Sequence, residues 1–125
     1  MWDIIVFVEA KKLKEINWVG SSLDDLKDSP DSVKDDVGYS LYEAQQGEMP
    51  TKGKLLKGLP GVVEIKTDYQ SNTYRTVYTV KLADSLYVLH FFKKKSKKGI
   101  ATPKPDIKLI KSRLKVAQDL AKELK

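Results

Sequence analysis

Arg75, His90 and the lysines that follow them are the side chains of this sequence best suited to polar chemistry. Arg75 stands within one alternating segment, Tyr74–Lys81, and His90 within a second, Ser85–Lys93. A guanidinium fork holds two oxygens of a phosphate at once, and an imidazole changes charge near neutral pH. Close behind His90 comes Lys93-Lys94-Lys95-Ser96-Lys97-Lys98, five lysines in six positions. Lys52, Lys54 and Lys57 precede a third strand-like segment, Val62–Asp68, and suit the same rim. Cations so grouped favour a polyanion, because each phosphate neutralised releases counterions. Tyr87, Phe91 and Phe92 lie nearby and offer ring faces on which bases can stack.

Each feature also has a plainer reading. His90 in an apolar strand can be a satisfied core or edge histidine. Arg75 can pair with Glu64 or Asp68 on a neighbouring strand. The lysine run can be a solvated loop, and at least one of Phe91 and Phe92 belongs to a core. By alternation, Val88, His90, Phe92 and Lys94 share one face of their strand, opposite Leu89, Phe91, Lys93 and Lys95. If one face of the sheet packs on helices, the other can present Arg75, His90 and Lys94 together, depending on register.

Other chemistries are excluded. With no cysteine, disulfide frameworks, zinc fingers, iron–sulfur sites and thiol nucleophiles are absent, and a single histidine rules out any site needing two imidazoles. No P-loop, dinucleotide glycine motif, paired-carboxylate or metal-ligand spacing occurs, so neither metal nor cofactor is expected.

The elements that must position these residues follow from periodicity. Ile4–Val8 and Ile16–Val19 read as short strands, and Ser21 or Ser22 as the cap of a short helix through Leu26. A longer helix spans about Ser32 to Gln46, with Asp31 or Ser32 as its cap and Val33, Val37, Leu41 and Ala44 as one apolar stripe. Gly38 lies inside it at a cost to helix stability, which close packing against another element would explain. Val62–Asp68, Tyr74–Lys81 and Ser85–Lys93 form an antiparallel meander. Lys94–Pro105 reads as loop, and Asp106 as the cap of a final helix striped by Ile107, Ile110, Leu114, Ala117, Ala121 and Leu124. The expected class is α+β, with N-terminal helices and a C-terminal helix packed on a twisted antiparallel meander.

The 125 residues suit one domain, 1–125, with 1–15 as an N-terminal strand or extension. The composition, 41% apolar and 32% charged, is that of a folded chain. Ile4–Val8 is too short an apolar run for a signal peptide or membrane span, so a cytoplasmic protein is expected. Net charge is +6, but its distribution is uneven: residues 1–50 carry 5 basic and 11 acidic side chains, residues 51–125 carry 18 and 6. The basic part is the one that calls for a polyanionic partner.

The segments Trp18–Leu26, Leu56-Lys57-Gly58-Leu59, Tyr74–Tyr78, Tyr87–Ser96, Gly99–Pro103 and Asp106-Ile107 occur in an order that resembles the phage-derived, HigB-like branch of the RelE/ParE toxin superfamily. The resemblance covers roughly residues 16–120. It implies the toxin of a type II toxin–antitoxin pair: a metal-independent mRNA endoribonuclease, often ribosome-dependent, silenced by an antitoxin that is usually a helix-turn-helix protein. It implies attack of a ribose 2′-hydroxyl on the adjacent phosphate. On this sequence the expected catalytic residues are Arg75, stabilising the transition state, and His90, Lys94 and Lys95, among which base and acid stay open. Lys54, Lys57, Phe92, Lys93, Lys97 and Lys98 are the expected RNA contacts. Relatives with an arginine and a tyrosine after the last strand differ here, where lysines stand and no tyrosine does. A non-catalytic basic module that binds RNA or protein, and a ParE-like gyrase poison, are the alternatives.

Overall fold

The computed structural model describes residues 12–82, 84–95 and 102–123, apart from the side chains of Lys81 and Lys95. The expected strand Ile4–Val8 and the lysines Lys97 and Lys98 lie outside the described residues. The chain runs β1 (Glu15–Trp18), α1 (Ser22–Lys27), α2 (Asp31–Gln45), β2 (Gly53–Leu55), β3 (Val62–Tyr69), β4 (Asn72–Leu82), β5 (Ser85–Lys95) and α3 (Lys104–Glu123).

Period-two alternation and short polar turns make β3, β4 and β5 an antiparallel meander, as the sequence predicts. The sheet is larger and mixed, with order β1-β5-β4-β3-β2. β2, which no sequence pattern announces, pairs antiparallel with β3, and β1 lies parallel to β5 from Glu15↔Ser85 to Trp18↔Val88.

Helices cover both faces, so the expectation of one open face presenting Arg75, His90 and Lys94 is corrected. On one face, Val33, Val37, Leu41 and Ala44 of α2 and Leu26 of α1 pack on Val63, Ile65, Tyr74, Tyr78, Leu86, Val88 and Phe91. On the other, Ile110, Ala117 and Ala121 of α3 pack on Val62, Val77, Tyr87 and Leu89. Both clusters are apolar and almost dry, the arrangement that hydrophobic burial favours for a two-sided sheet.

Strict alternation along β5 also fails, for a local reason. Val77 opposes His90 but Tyr78 opposes Val88, which leaves Leu89 as an extra residue in β5. Such a bulge turns two successive side chains to nearly the same side. Val88 therefore packs with Phe91 under α2, while Leu89 and Phe92 pack under α3.

Three helix starts differ from expectation. α1 starts after Ser21, one of its two expected caps, and α2 follows Pro30, but neither has a side-chain cap hydrogen bond; Ser22 Oγ instead donates to the Val88 carbonyl at 3.1 Å. β5 continues through Lys95, so Lys94 and Lys95 are strand and not loop. α3 begins at Lys104, with Pro105 in its first turn where a missing N–H costs nothing. Packing among the described residues does not explain Gly38 either, since a side-chain carbon built there meets none of them within 4 Å.

Candidate nucleic-acid interface

Strand register sets which side chains meet on the α3 face. Lys54↔Glu64, Glu64↔Val77 and Val77↔His90 make one row across four strands. Lys66↔Arg75 and Arg75↔Phe92 make the next, and Thr73↔Lys94 lies in the one beyond. Directly opposed residues share a face, so Lys54, Glu64, Arg75, His90, Phe92 and Lys94 all project toward α3.

Two groups form there. The first is built on Glu64, whose side chain is 1% exposed. Its Oε1 accepts a short hydrogen bond from Arg75 Nη1, and its Oε2 accepts one from the Thr102 hydroxyl at 3.0 Å. Arg75 is itself 2% exposed, and its Nε has no partner among the described residues. The cross-strand pairing with Glu64, one of the two partners open to Arg75 in the sequence, is the one formed.

Above this pair opens a pocket of about 530 Å3 lined by Lys54, Leu55, Leu56, Lys57, Glu64, Thr102 and Ile107. Lys54 and Lys57 are exposed at its rim. Lys57 rides on a tight loop in which Gly58 takes φ +82°, a conformation that a side chain would oppose. Lys94 approaches the same group. Partial desolvation, then the positive charges of Arg75 and Lys54, push its ammonium below the ordinary lysine value, with Glu64 pulling the other way. A carboxylate–guanidinium floor with a lysine rim is an arrangement that can attract an anion, with Glu64, Arg75, Lys54 and Lys94 held by the sheet.

The second group holds His90 and does not face the pocket. His90 Nε2 lies 2.7 Å from Asp106 Oδ1, and its ring stacks on Phe92 with centroids 4.7 Å apart. With Nε2 donating to Asp106, Nδ1 is the acceptor facing Arg113 Nη1 at 3.5 Å. Arg113 Nη1 also donates to the Leu89 carbonyl at 3.0 Å and Nη2 to Ser21 Oγ at 3.1 Å. The carbonyl that the guanidinium meets is that of the bulged residue, Leu89, where the ladder is locally disrupted. Asp106, expected as a helix cap, is spent on His90 instead. Together these contacts fasten α3 to β5.

The run Lys93–Lys95 is split by alternation. Lys93 opposes Tyr74 and lines a separate pocket of about 420 Å3 with Asp25, Asp28, Ser29, Tyr74, His90, Phe91 and Phe92. Lys95 pairs through its backbone position with Asn72. Thus Arg75, Lys54 and Lys94 come together, Lys57 joins them at the rim, and His90, Phe92 and Lys93 stand apart. Sequence reasoning missed Thr102 and Arg113 and gave Glu64 no role beyond pairing. A carboxylate alternating into the α3 face beside an arginine was the available signal.

Among the described residues no group of His, Asp or Glu is placed to hold a metal ion, and no helix is long and apolar enough to cross a membrane. The fold and this cleft define a small α+β domain with a cationic, carboxylate-floored site. Residues 24–115 match the family described as Phage derived protein Gp49-like (DUF891), and the chain belongs to it. This is a RelE/HigB-like family whose members are generally toxins of toxin–antitoxin systems. No curated protein and no solved structure matches the chain.

Proposed function

We propose that this chain is the toxin of a type II toxin–antitoxin pair and a metal-independent endoribonuclease with a RelE-like fold, cutting mRNA on the ribosome in the cytoplasm. The observation that carries this reading is the convergence of Glu64, Arg75, Lys54 and Lys94 on one face, beneath a pocket rimmed by Lys57. Cleavage forms a bond from the ribose O2′ to phosphorus and breaks the bond from phosphorus to O5′. It leaves a 2′,3′-cyclic phosphate and a 5′-hydroxyl, and a proton passes from O2′ to a base and from an acid to O5′.

Glu64 is the base of this scheme. The Thr102 hydroxyl, donating to Oε2, occupies the place that a substrate 2′-hydroxyl takes when it displaces Thr102. Lys94 is the acid, since a lysine partly desolvated and crowded by Arg75 and Lys54 releases its proton more readily than a solitary one. Arg75 holds Glu64 in place and sets its positive charge beneath the phosphorane, while Lys54 and Lys57 hold flanking phosphates. His90 orients α3, and Lys93, Lys95, Lys97, Lys98 and Phe92 extend the RNA surface. An antitoxin, of the helix-turn-helix kind, silences the toxin.

A second reading has one observation in its favour. Glu64 and Arg75 neutralise each other out of contact with solvent, as they would in a non-catalytic basic module. Induction in a bacterial host separates the two. Growth arrest with new 5′-hydroxyl mRNA ends, abolished by Lys94→Ala and Glu64→Gln, is expected of the nuclease. Normal growth with RNA binding retained would establish the module, and DNA damage without mRNA cleavage a gyrase poison.

A further inference from the structure

Charge in this domain is sorted by the sheet. Between Ser21 and Pro50, the stretch that forms α1 and α2, eight acidic residues face two basic ones. The lysine-rimmed pocket opens on the opposite face of the sheet, beside α3. A polyanion drawn to the pocket is therefore repelled from α2, so whatever covers α2 is not RNA.

α2 nevertheless has the marks of a covered surface. Asp31, Asp35, Gly38 and Tyr42 recur at intervals of four, three and four, which places them on one stripe opposite the buried Val33, Val37, Leu41 and Ala44. All four are exposed, and neighbouring Tyr39 is 65% exposed. Large rings standing in water beside acids are unfavourable alone and typical of recognition sites. Gly38 is the decisive residue. It weakens the helix, it has a negative φ that any residue tolerates, and nothing among the described residues lies within 4 Å of a side-chain carbon built there. Its bareness leaves a notch in the helix surface between Asp35 and Tyr42, where a second helix can approach closely.

We propose that the stripe Asp31–Asp35–Gly38–Tyr42 is the docking surface for the antitoxin and receives a lysine- or arginine-bearing helix of that protein. Asp31 already holds Lys34 at 3.2 Å, so Asp35 supplies the charge complementarity, the tyrosines supply apolar contact, and the notch sets the helix crossing. This proposal rests on the reading of the chain as a toxin with an antitoxin. It places the antitoxin away from the RNA cleft, so neutralisation at this surface does not require blocking Lys54 or Lys94.

The test co-expresses the full chain with the protein encoded by the adjoining reading frame. The wild-type chain is expected to retain that protein through purification and to be harmless in its presence. Gly38→Leu fills the notch with a better helix former, so its melting temperature should not fall and its toxicity alone should persist. Its affinity for the adjoining protein should drop at least tenfold, and growth arrest should return. Asp31→Lys combined with Asp35→Lys should weaken capture to a similar extent. Equal capture by all three chains overturns the docking surface and leaves the toxin reading standing. A wild-type chain that is neither toxic nor bound by the adjoining protein overturns the toxin–antitoxin reading, and this proposal with it.

Discussion

The Thr102 hydroxyl donates to the same Glu64 carboxylate that neutralises Arg75, so the segment entering α3 and the floor of the cationic cleft share one buried group. α3 is thereby coupled to the cleft at its start through Glu64 and further along through Asp106 and Arg113. A change in how α3 sits must alter the electrostatics of the site.

The Glu64–Arg75 pair sets a first expectation, for stability. Removing one partner of a buried ion pair strands the other charge, at about 3–5 kcal/mol. Glu64→Gln and Arg75→Met should each lower the free energy of urea unfolding by about that amount. The double variant Glu64→Leu/Arg75→Met should recover most of the loss. Additive losses in the double variant would mean that the two charges do not compensate each other.

Gly20 gives a second. It takes φ +59°, and a side-chain carbon built there would lie 2.6 Å from Arg113 Nε. The guanidinium cannot step aside cheaply, because Leu89, Ser21 and His90 hold it. Gly20→Ala should therefore cost about 2–3 kcal/mol, from left-handed strain and a lost hydrogen bond. Hydrogen exchange should show α3 loosened before the rest of the domain.

Gly38 is the opposite case. With helical geometry and open space around it, Gly38→Ala should raise the unfolding free energy by about 1 kcal/mol. A loss of stability on thermal or urea unfolding would contradict the open surface described for α2.

Salt gives a fourth test. If Lys54, Lys57 and Lys94 each neutralise one phosphate, the logarithm of RNA affinity should fall with the logarithm of salt concentration at a slope of about −2. Lys57→Ala should make that slope shallower by about 0.7. A flat dependence would mean that the lysine rim does not meet phosphate.

Much of this architecture is legible in the sequence where a single period governs it. The stripe of Val33, Val37, Leu41 and Ala44 buries as written, and β3 to β5 form the expected antiparallel meander. What is not legible depends on contacts distant along the chain. β1 pairs with β5 some seventy positions away, and three-residue β2 has no period to read. One extra residue at Leu89 inverts the faces assigned to Val88 and Leu89. Arg113 reads as another surface cation between Lys111 and Lys115, yet the bare Cα of Gly20 and the Leu89 carbonyl draw it inward. At the cleft, the cations Arg75, Lys54 and Lys94 could be named from type and order. Burial of Arg75 beneath Thr102 could not, because it depends on where α3 lands.

The last expectation concerns pH and Lys94. Desolvation and the charges of Arg75 and Lys54 lower its pKa from the ordinary lysine value, because they penalise the ammonium form. If that ammonium is the acid that protonates the leaving O5′, cleavage requires it charged. Activity should fall as pH rises through the lowered pKa, so the alkaline limb should lie below the ordinary lysine range. Lys94→Arg keeps the charge but holds its proton across this range, so it should bind RNA normally and cut slowly with no such limb. Removing a neighbouring charge reverses part of the shift. Lys54→Ala removes one of the repulsions that lower Lys94, so the limb should move to higher pH even as RNA binding weakens. Arg75→Met would act in the same direction but would also strand Glu64, so Lys54→Ala is the cleaner variant. A limb that stays in place in Lys54→Ala, or persists in Lys94→Arg, would assign the titrating group to a residue other than Lys94.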